Sequence, residues 1–232
     1  MKRFYEKAAV APRDDGFTIR LDGRAMLTPA KNPLRLPSSA LAEAVASEWA
    51  AQAEEIDKTT MPLTRHAYTA IDGVRRSFDH VVEEIARYAE TDLTCYWAEA
   101  PQTLVAKQAA AWQPLLDWAE ETYGARLEVA AGIMPVQQPP ESLAALRAAV
   151  AAHDSFALAA LHTLVSISGS LVIGLAVSAG RLDASGAWKV GRIDHDFQAS
   201  QWGEDPEAAM EAARARADLE ASALFLSLVR AE

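Results

Sequence analysis

The stretch FTIRLDGRAML, residues 17–27, constrains the fold most, because Phe17, Ile19 and Leu21 alternate up to an Asp22-Gly23 pair and apolar residues resume beyond it. Strand side chains point alternately to opposite faces, and Asp-Gly accepts left-handed turn angles, so the pattern predicts a β-hairpin. A second turn is expected between Pro12 and Gly16, after FYEKAAV. Prolines 29, 33 and 37 then carry the chain in extended form to Ser38, which can cap a helix. Beyond that point the apolar period changes from two to between three and four. The expected class is α+β, with a small β-rich N-terminal subdomain over residues 1–37 and a larger, mostly α-helical domain over residues 38–232.

The helical part divides at its proline, glycine and capping residues. Leu41, Val45, Trp49 and Ile56 form one seam, which makes Trp49 a core residue rather than a ligand platform. Leu63 to Val74 and Phe78 to Tyr88 fit two helices or one kinked at Gly73, and residues 92–99, DLTCYWAE, read as short and β-prone. Pro101 starts a helix that Tyr123-Gly124 ends; after an extended piece, Pro139-Pro140 precedes another. Asp154 or Ser155 caps a third, and LVIGLAVSAG is apolar enough to be a buried helix. Ser170 and Gly174 would let a neighbouring helix approach it closely. In the last helix, capped by Asp205 with Pro206 in the first turn, Met210, Ala213, Ala217, Ala221, Leu224, Phe225 and Leu228 are the expected seam.

Charge and composition exclude several functions. With 22 basic against 32 acidic residues, the net charge of -10 repels nucleic acid and anionic membrane surfaces. The single cysteine, Cys95, can form no internal disulfide, and no Cys/His zinc spacing occurs. The longest apolar run falls short of the roughly 20 residues that span a bilayer, and the first residues lack a signal core, so a soluble cytoplasmic protein without membrane insertion is expected. There is no phosphate-cradling or dinucleotide-binding glycine motif, and no cofactor is expected.

The polar residues of interest lie in WKVGRIDHDFQASQWGE, residues 188–204. Projected at about 100° per residue, Trp188, His195, Ala199 and Trp202 fall on one face and Val190, Ile193 and Phe197 on the other. Both faces are expected to be buried, leaving two polar lanes: Arg192, Asp196 and Ser200, and Asp194, Gln198 and Gln201. Arg192 and Asp196 are four apart and can simply pair. Asp194, His195 and Asp196, with Glu204, invite a metal or small-molecule enzyme reading. Consecutive helical side chains diverge, however, so no metal site is assigned. His153 lacks an acidic partner at ligand spacing, His162 reads as a core histidine, and neither Cys95 nor Ser166, Ser168 and Ser170 sits in a nucleophile motif.

The motifs RFY at 3–5, LDGR at 21–24, EW at 48–49 and DLTCYWAEAP at 92–101 occur in this order. LV-x-x-Q from Leu104, W-x-P-L-L-D-W-A from Trp112 and R-I-D-x-D-F-Q-x-x-x-W-G from Arg192 follow. Together they resemble the mitochondrial F1-ATPase assembly chaperone family that serves the α subunit, and its bacterial relatives, over nearly the whole chain. The resemblance implies a non-enzymatic chaperone that binds the unassembled α subunit until the β subunit replaces it. It also implies that Trp49, Asp194 and Asp196 are functionally sensitive, with Gln198, Trp202 and Gly203 in the same motif. The client-binding candidates are thus Arg192, Asp194, Asp196, Gln198, Trp202 and Glu204. The mitochondrial matrix is the compartment of the eukaryotic family; lack of a presequence here favours a bacterial cytoplasm. His195 stands between the two acids, where a further acid can occur. For the apolar client contact, the candidates are the free edge of the N-terminal sheet and the groove beside Trp202.

Overall fold

The computed structural model describes residues 1–132, 134–203 and 205–231. Two compact units emerge: Met1–Phe78 with Asp154–Ala160 and Ala221–Glu232, and Asp79–His153 with Leu161–Glu220.

In the first unit, β1 (Ala8–Arg13), β2 (Gly16–Leu21) and β3 (Arg24–Ala25) form an antiparallel meander. The β1–β2 register runs from Ala8 opposite Leu21 to Arg13 opposite Gly16. Asp22 and Gly23 take φ of 49° and 81°, the two left-handed positions a tight hairpin requires. The Asp22 carboxylate also accepts the Glu6 and Lys7 N–H groups, tying the approach to β1 against the turn. Gly16 (φ 126°) is indispensable, since a Cβ there would lie 2.5 Å from the Leu36 carbonyl oxygen. Leu36 and Phe17 exchange backbone hydrogen bonds, which lays the proline-rich return along the sheet. Asp72 braces that return, accepting from the Thr28 hydroxyl, the Ala30 N–H and the Asn32 amide.

Ser38 then caps α1 (Ser39–Ala50), accepting from the Leu41 N–H while its own hydroxyl donates to the Leu228 carbonyl. Leu41, Ala42, Val45, Ala46 and Trp49 are the buried face of α1, which packs on β1 and β2. The chain continues through α2 (Pro62–Tyr68), a π-helical turn at Thr69–Gly73 and a 3-10 turn at Val74–Arg76. This resolves the region predicted as two helices or one kinked helix.

The second unit holds α3 (Phe78–Ala86), β4 (Tyr96–Trp97), α4 (Gln102–Tyr123), β5 (Ala130–Ala131) and α5 (Pro140–Ala151). Most of α6 (Ser155–Ser168) belongs here too, with α7 (Leu171–Ser178), α8 (Ala184–Gly191), α9 (Ile193–Trp202) and most of α10 (Pro206–Arg230). The β-prone 92–99 segment is chiefly a 3-10 turn at Leu93–Cys95, and only β4 is strand, paired in parallel with β5. Its Asp92 is fully buried and receives hydrogen bonds from the Ser170 hydroxyl, the Val172 N–H and both donors of Thr94. Burial pushes its carboxyl pKa up and these donors pull against that shift.

Helix α7 is buried almost throughout, as its apolarity predicts. Gly174 is the close contact: a Cβ there would lie 2.4 Å from Val165 Cγ2 and 3.1 Å from Leu161 Cδ1. Ser170 is not part of that contact; its hydroxyl is the N-cap of α7. Two other expectations are corrected. His162 is exposed, because α6 turns Leu161, Leu164 and Val165 inward instead. In α10 the expected seam holds at Phe225, which is buried, but Met210, Ala213, Ala217 and Leu224 are exposed while Leu219, Ser222 and Leu226 are buried. The buried histidine is His66, whose ring meets the Ser222 hydroxyl and lies 5.2 Å from the Phe225 ring.

Candidate functional site

The stretch read as one helix with two buried faces is two helices, and neither face of its second half is fully covered. The last turn of α8 tightens to a bond from the Arg192 N–H to the Lys189 carbonyl, and Arg192 leaves helical angles at φ −118°, ψ 12°. A projection at constant angle therefore cannot be carried across Arg192. In α9 no residue is buried: Ile193, Asp194 and Phe197 are half-covered, whereas His195, Asp196, Gln198 and Trp202 are exposed. Trp202, 79% exposed, stands at the helix end, where Gly203 (φ 88°) stops the helix. Glu204 lies outside the described residues.

The two acids have different settings. Asp194 accepts a 2.6 Å hydrogen bond from the Gln108 side-chain amide, and Gln108 in turn accepts from the Ala98 N–H at 2.7 Å. Gln108 is only 1% exposed, so a buried amide fixes one oxygen of Asp194 while the residue keeps partial solvent contact. Asp196 pairs with Arg192 at 3.4 Å, its side chain 60% exposed, and the Arg192 guanidinium also lies 4.8 Å from the Trp188 ring centroid. The pairing proposed from four-residue spacing is thus present. Helix α4 secures this edge further, with Lys107 over Phe197 and the Trp112 indole N–H donating to the Val190 carbonyl.

Sequence reasoning missed Gln108, although it sits in the LV-x-x-Q motif. Its signal was positional: Leu104, Gln108 and Trp112 are four apart, so an amide occupies an apolar seam and must find partners there. Asp194 and Asp196 reach separate partners and His195 is exposed. Among the described residues no group of three or more His, Cys, Asp or Glu could hold a metal ion. His153 meets the Ser178 hydroxyl and the Ala149 carbonyl, and Cys95 is fully buried, its thiol pushed up to about 12 chiefly by burial.

Trp49 is 7% exposed and lies in the first unit. Its ring packs at 5.6 Å from that of Tyr5, whose hydroxyl donates to the Trp49 carbonyl. Its neighbour Glu48 points elsewhere, accepting from the Leu63 and Thr64 N–H groups at the start of α2 and from the Thr64 hydroxyl. Burial raises the Glu48 carboxyl pKa against those donors. Trp49 also walls two open cavities of about 470 Å³ each, which share Leu27 and Tyr68.

Residues 2–120 match the family described as ATP12 chaperone protein. The mitochondrial protein atp12 of Schizosaccharomyces pombe is 24% identical over 216 residues, covering 87% of this chain and 74% of that protein. Among solved structures, Atp12 from Paracoccus denitrificans is 46% identical with a TM-score of 0.95, covering 99% of this chain and 98% of its own; an aspartate-to-lysine mutant of that protein matches equally well. A candidate chaperone from Agrobacterium tumefaciens is 42% identical with a TM-score of 0.94, over 99% of this chain and 86% of that one. Sequence and fold together make this chain a member of the ATP12 chaperone family.

Proposed function

We propose that this protein is a non-enzymatic assembly chaperone that binds the unassembled α subunit of F1-ATPase and prevents its aggregation until the β subunit takes its place. The carrying observation is the full-length likeness to Atp12 from Paracoccus denitrificans, 46% identical with a TM-score of 0.95. The recognition edge is α9, where Arg192, Asp194, Asp196, Gln198 and Trp202 present polar and aromatic groups from a helix braced on α4. Groups held this way lose less conformational freedom on binding than groups on a mobile loop. The bacterial sources of the solved relatives support a cytoplasmic location.

The test is capture: tagged protein, expressed with β depleted, should retain the α subunit, and failure to retain any would remove the proposal. Asp194→Lys combined with Asp196→Lys should leave the fold largely intact and slow client association. The difference from wild type should shrink as salt rises, because partly exposed charges act mainly on association rate. Wild-type kinetics at low salt in a folded double variant would remove these acids from the recognition edge.

A further inference from the structure

In the order β1-β2-β3, β1 has β2 on one side and no strand on the other. Residues of an antiparallel strand direct their N–H and C=O groups to the two sides alternately, so the free side can be read from the bonded one. The Lys7 carbonyl accepts from the Asp22 N–H, while Phe17 and Ile19 bond on the far side of β2, to Leu36 and Met26. Ala9, Ala11 and Arg13, which lie opposite Arg20, Thr18 and Gly16, therefore bond to β2. Ala8, Val10 and Pro12 point their backbone groups away from it. Among the described residues, nothing meets those outward N–H and C=O groups. They form a row of donors and acceptors that Pro12, lacking an N–H, ends on the donor side. Ala9, Pro12 and Arg13 are exposed, and Ala8, Val10 and Ala11 are half-covered, so solvent reaches the strand.

Such a row is complementary to the backbone of another extended chain. Proteins blunt exposed edges with charge or proline; here both stand at the end of β1, and Ala8 to Ala11 carry no charge. Charge then selects among extended chains. Residues 1–36 hold eight basic and four acidic side chains, against 14 and 28 in the remainder. Arg13 and Arg20 are exposed and have no ion-pair partner among the described residues. By register they share the face of Ala9 and Ala11, whose small side chains leave room beside them. Of the turn acids that follow Arg13, Asp15 is paired with Arg35. A second copy of the chain fits poorly. The antiparallel pairing that uses all three outward positions, centred on Val10, sets Lys7 opposite Arg13 twice and the Ala8 carbonyl against Pro12 twice. We infer that the β1 edge takes an extended segment of an unassembled client as a fourth strand, with apolar side chains beside Ala8 and Val10 and an acid against Arg13. The proposal rests on the chaperone reading only for the source of that segment.

The probe is the blocked peptide acetyl-Glu-Val-Thr-Val-Thr-Val-Glu-amide, added to the ¹⁵N-labelled full chain; acids at both ends let either strand direction meet Arg13. Two companions separate the causes. One has lysine for both glutamates, and the other has N-methylvaline at its centre, which keeps the charge but removes the donor for the Val10 carbonyl. The Ala8 and Val10 amides should shift saturably and exchange more slowly with solvent, while those of Ala9 and Ala11, already bonded to β2, change little. The N-methyl peptide should bind roughly threefold to tenfold more weakly, the worth of one hydrogen bond. Arg13→Glu should weaken the acidic peptide by up to about fivefold, the upper end for an exposed ion pair, and narrow its advantage over the lysine peptide. Ala8→Pro removes an outward donor and no bond to β2, so peptide binding should fall while the thermal midpoint holds. Unmoved Ala8 and Val10 amides at millimolar peptide overturn the inference, as does equal binding of the N-methyl peptide or a charge preference that Arg13→Glu leaves unchanged. Protection of both amides that rises with protein concentration alone, with a dimer in sedimentation, assigns the edge to a second copy and overturns it too. Capture of the α subunit is scored separately. Client capture without peptide binding overturns the edge assignment alone, and saturable peptide binding without client capture supports the edge while removing the chaperone's named client.

Discussion

Gln108 joins the end of β4 to the acid on α9, and its replacement tests whether that bridge is real. In Gln108→Leu the Ala98 N–H loses its acceptor and Asp194 loses its amide donor. Ala98 is half-covered, so leaving its N–H unsatisfied costs about 2 kcal/mol, within the range of about 1–3 kcal/mol for a buried donor. The bond to Asp194 is charge-assisted, but the residue is half-exposed and water replaces much of it, leaving about 1 kcal/mol. Leucine's added apolar burial returns a comparable amount, roughly 1 kcal/mol. The net loss is about 2 kcal/mol, and at about 2–4 °C per kcal/mol for a chain of this size the thermal midpoint should fall by roughly 4–8 °C. Gln108→Glu is the sharper variant. It keeps an acceptor for Ala98 but sets a second carboxyl against Asp194, so one of the pair must hold a proton and its pKa rises in the fold. A raised carboxyl pKa means stability is retained below the ordinary value of about 4.3 and lost as pH rises above it. Differential scanning fluorimetry from pH 4 to 8 should therefore show Gln108→Glu falling progressively behind wild type. Parallel curves would refute the contact between residues 108 and 194.

Three further outcomes are expected. Gly174→Ala should lower the urea midpoint, because a Cβ 2.4 Å from Val165 costs about 1–3 kcal/mol of overpacking, against about 1 kcal/mol gained in helix propensity. A raised midpoint would mean that α6 and α7 are not so close. Trp49→Arg should give insoluble or strongly destabilised protein, since an unpaired guanidinium would replace a buried ring; a variant of wild-type stability that fails only to bind client would reverse that. Burial pushes the Asp72 carboxyl up, but the hydrogen bonds from Thr28, Asn32 and Ala30, with the Arg76 charge, outweigh it and hold the pKa below its usual value. Its stabilisation is then present above the unfolded value of about 3.9 and lost as pH falls through the lower folded value. Asp72→Asn should accordingly flatten the acid limb of stability between pH 5 and 2, and an unchanged limb counts against the brace.

What the sequence made legible was whatever depends on a few adjacent residues. The Asp22-Gly23 turn, the caps at Ser38, Asp154 and Asp205, and the helix stop at Gly124 all form as their local chemistry requires. Burial was harder to read, because it depends on what lies opposite. Met210 and Leu224 have helical spacing, yet both are exposed while Leu219, Ser222 and Leu226 are covered. The break at Arg192 was invisible because a glycine at 191 can end a helix or continue it. The candidate acids were identified correctly as polar groups on a helix, but the partner of Asp194 lies 86 residues away in sequence and no spacing rule reaches it.

Two of the motifs on which the resemblance rests, EW at 48–49 and the acids of α9, share a physical design. Each sets a polar anchor beside a second group of the same motif. Glu48 caps α2 and so fixes the end of α1, while Trp49 buries its ring against Tyr5. Asp194 is fixed by Gln108, while Asp196 remains largely in solvent beside Arg192. An anchored neighbour limits the freedom that a recognition group must lose on binding, which is where a client contact gains affinity without gaining area. The anchors should therefore be separable from the contacts. Glu48→Gln, which retains an acceptor for the Leu63 or Thr64 N–H, should bind client nearly as wild type, whereas Glu48→Ala should weaken binding in step with a lowered thermal midpoint.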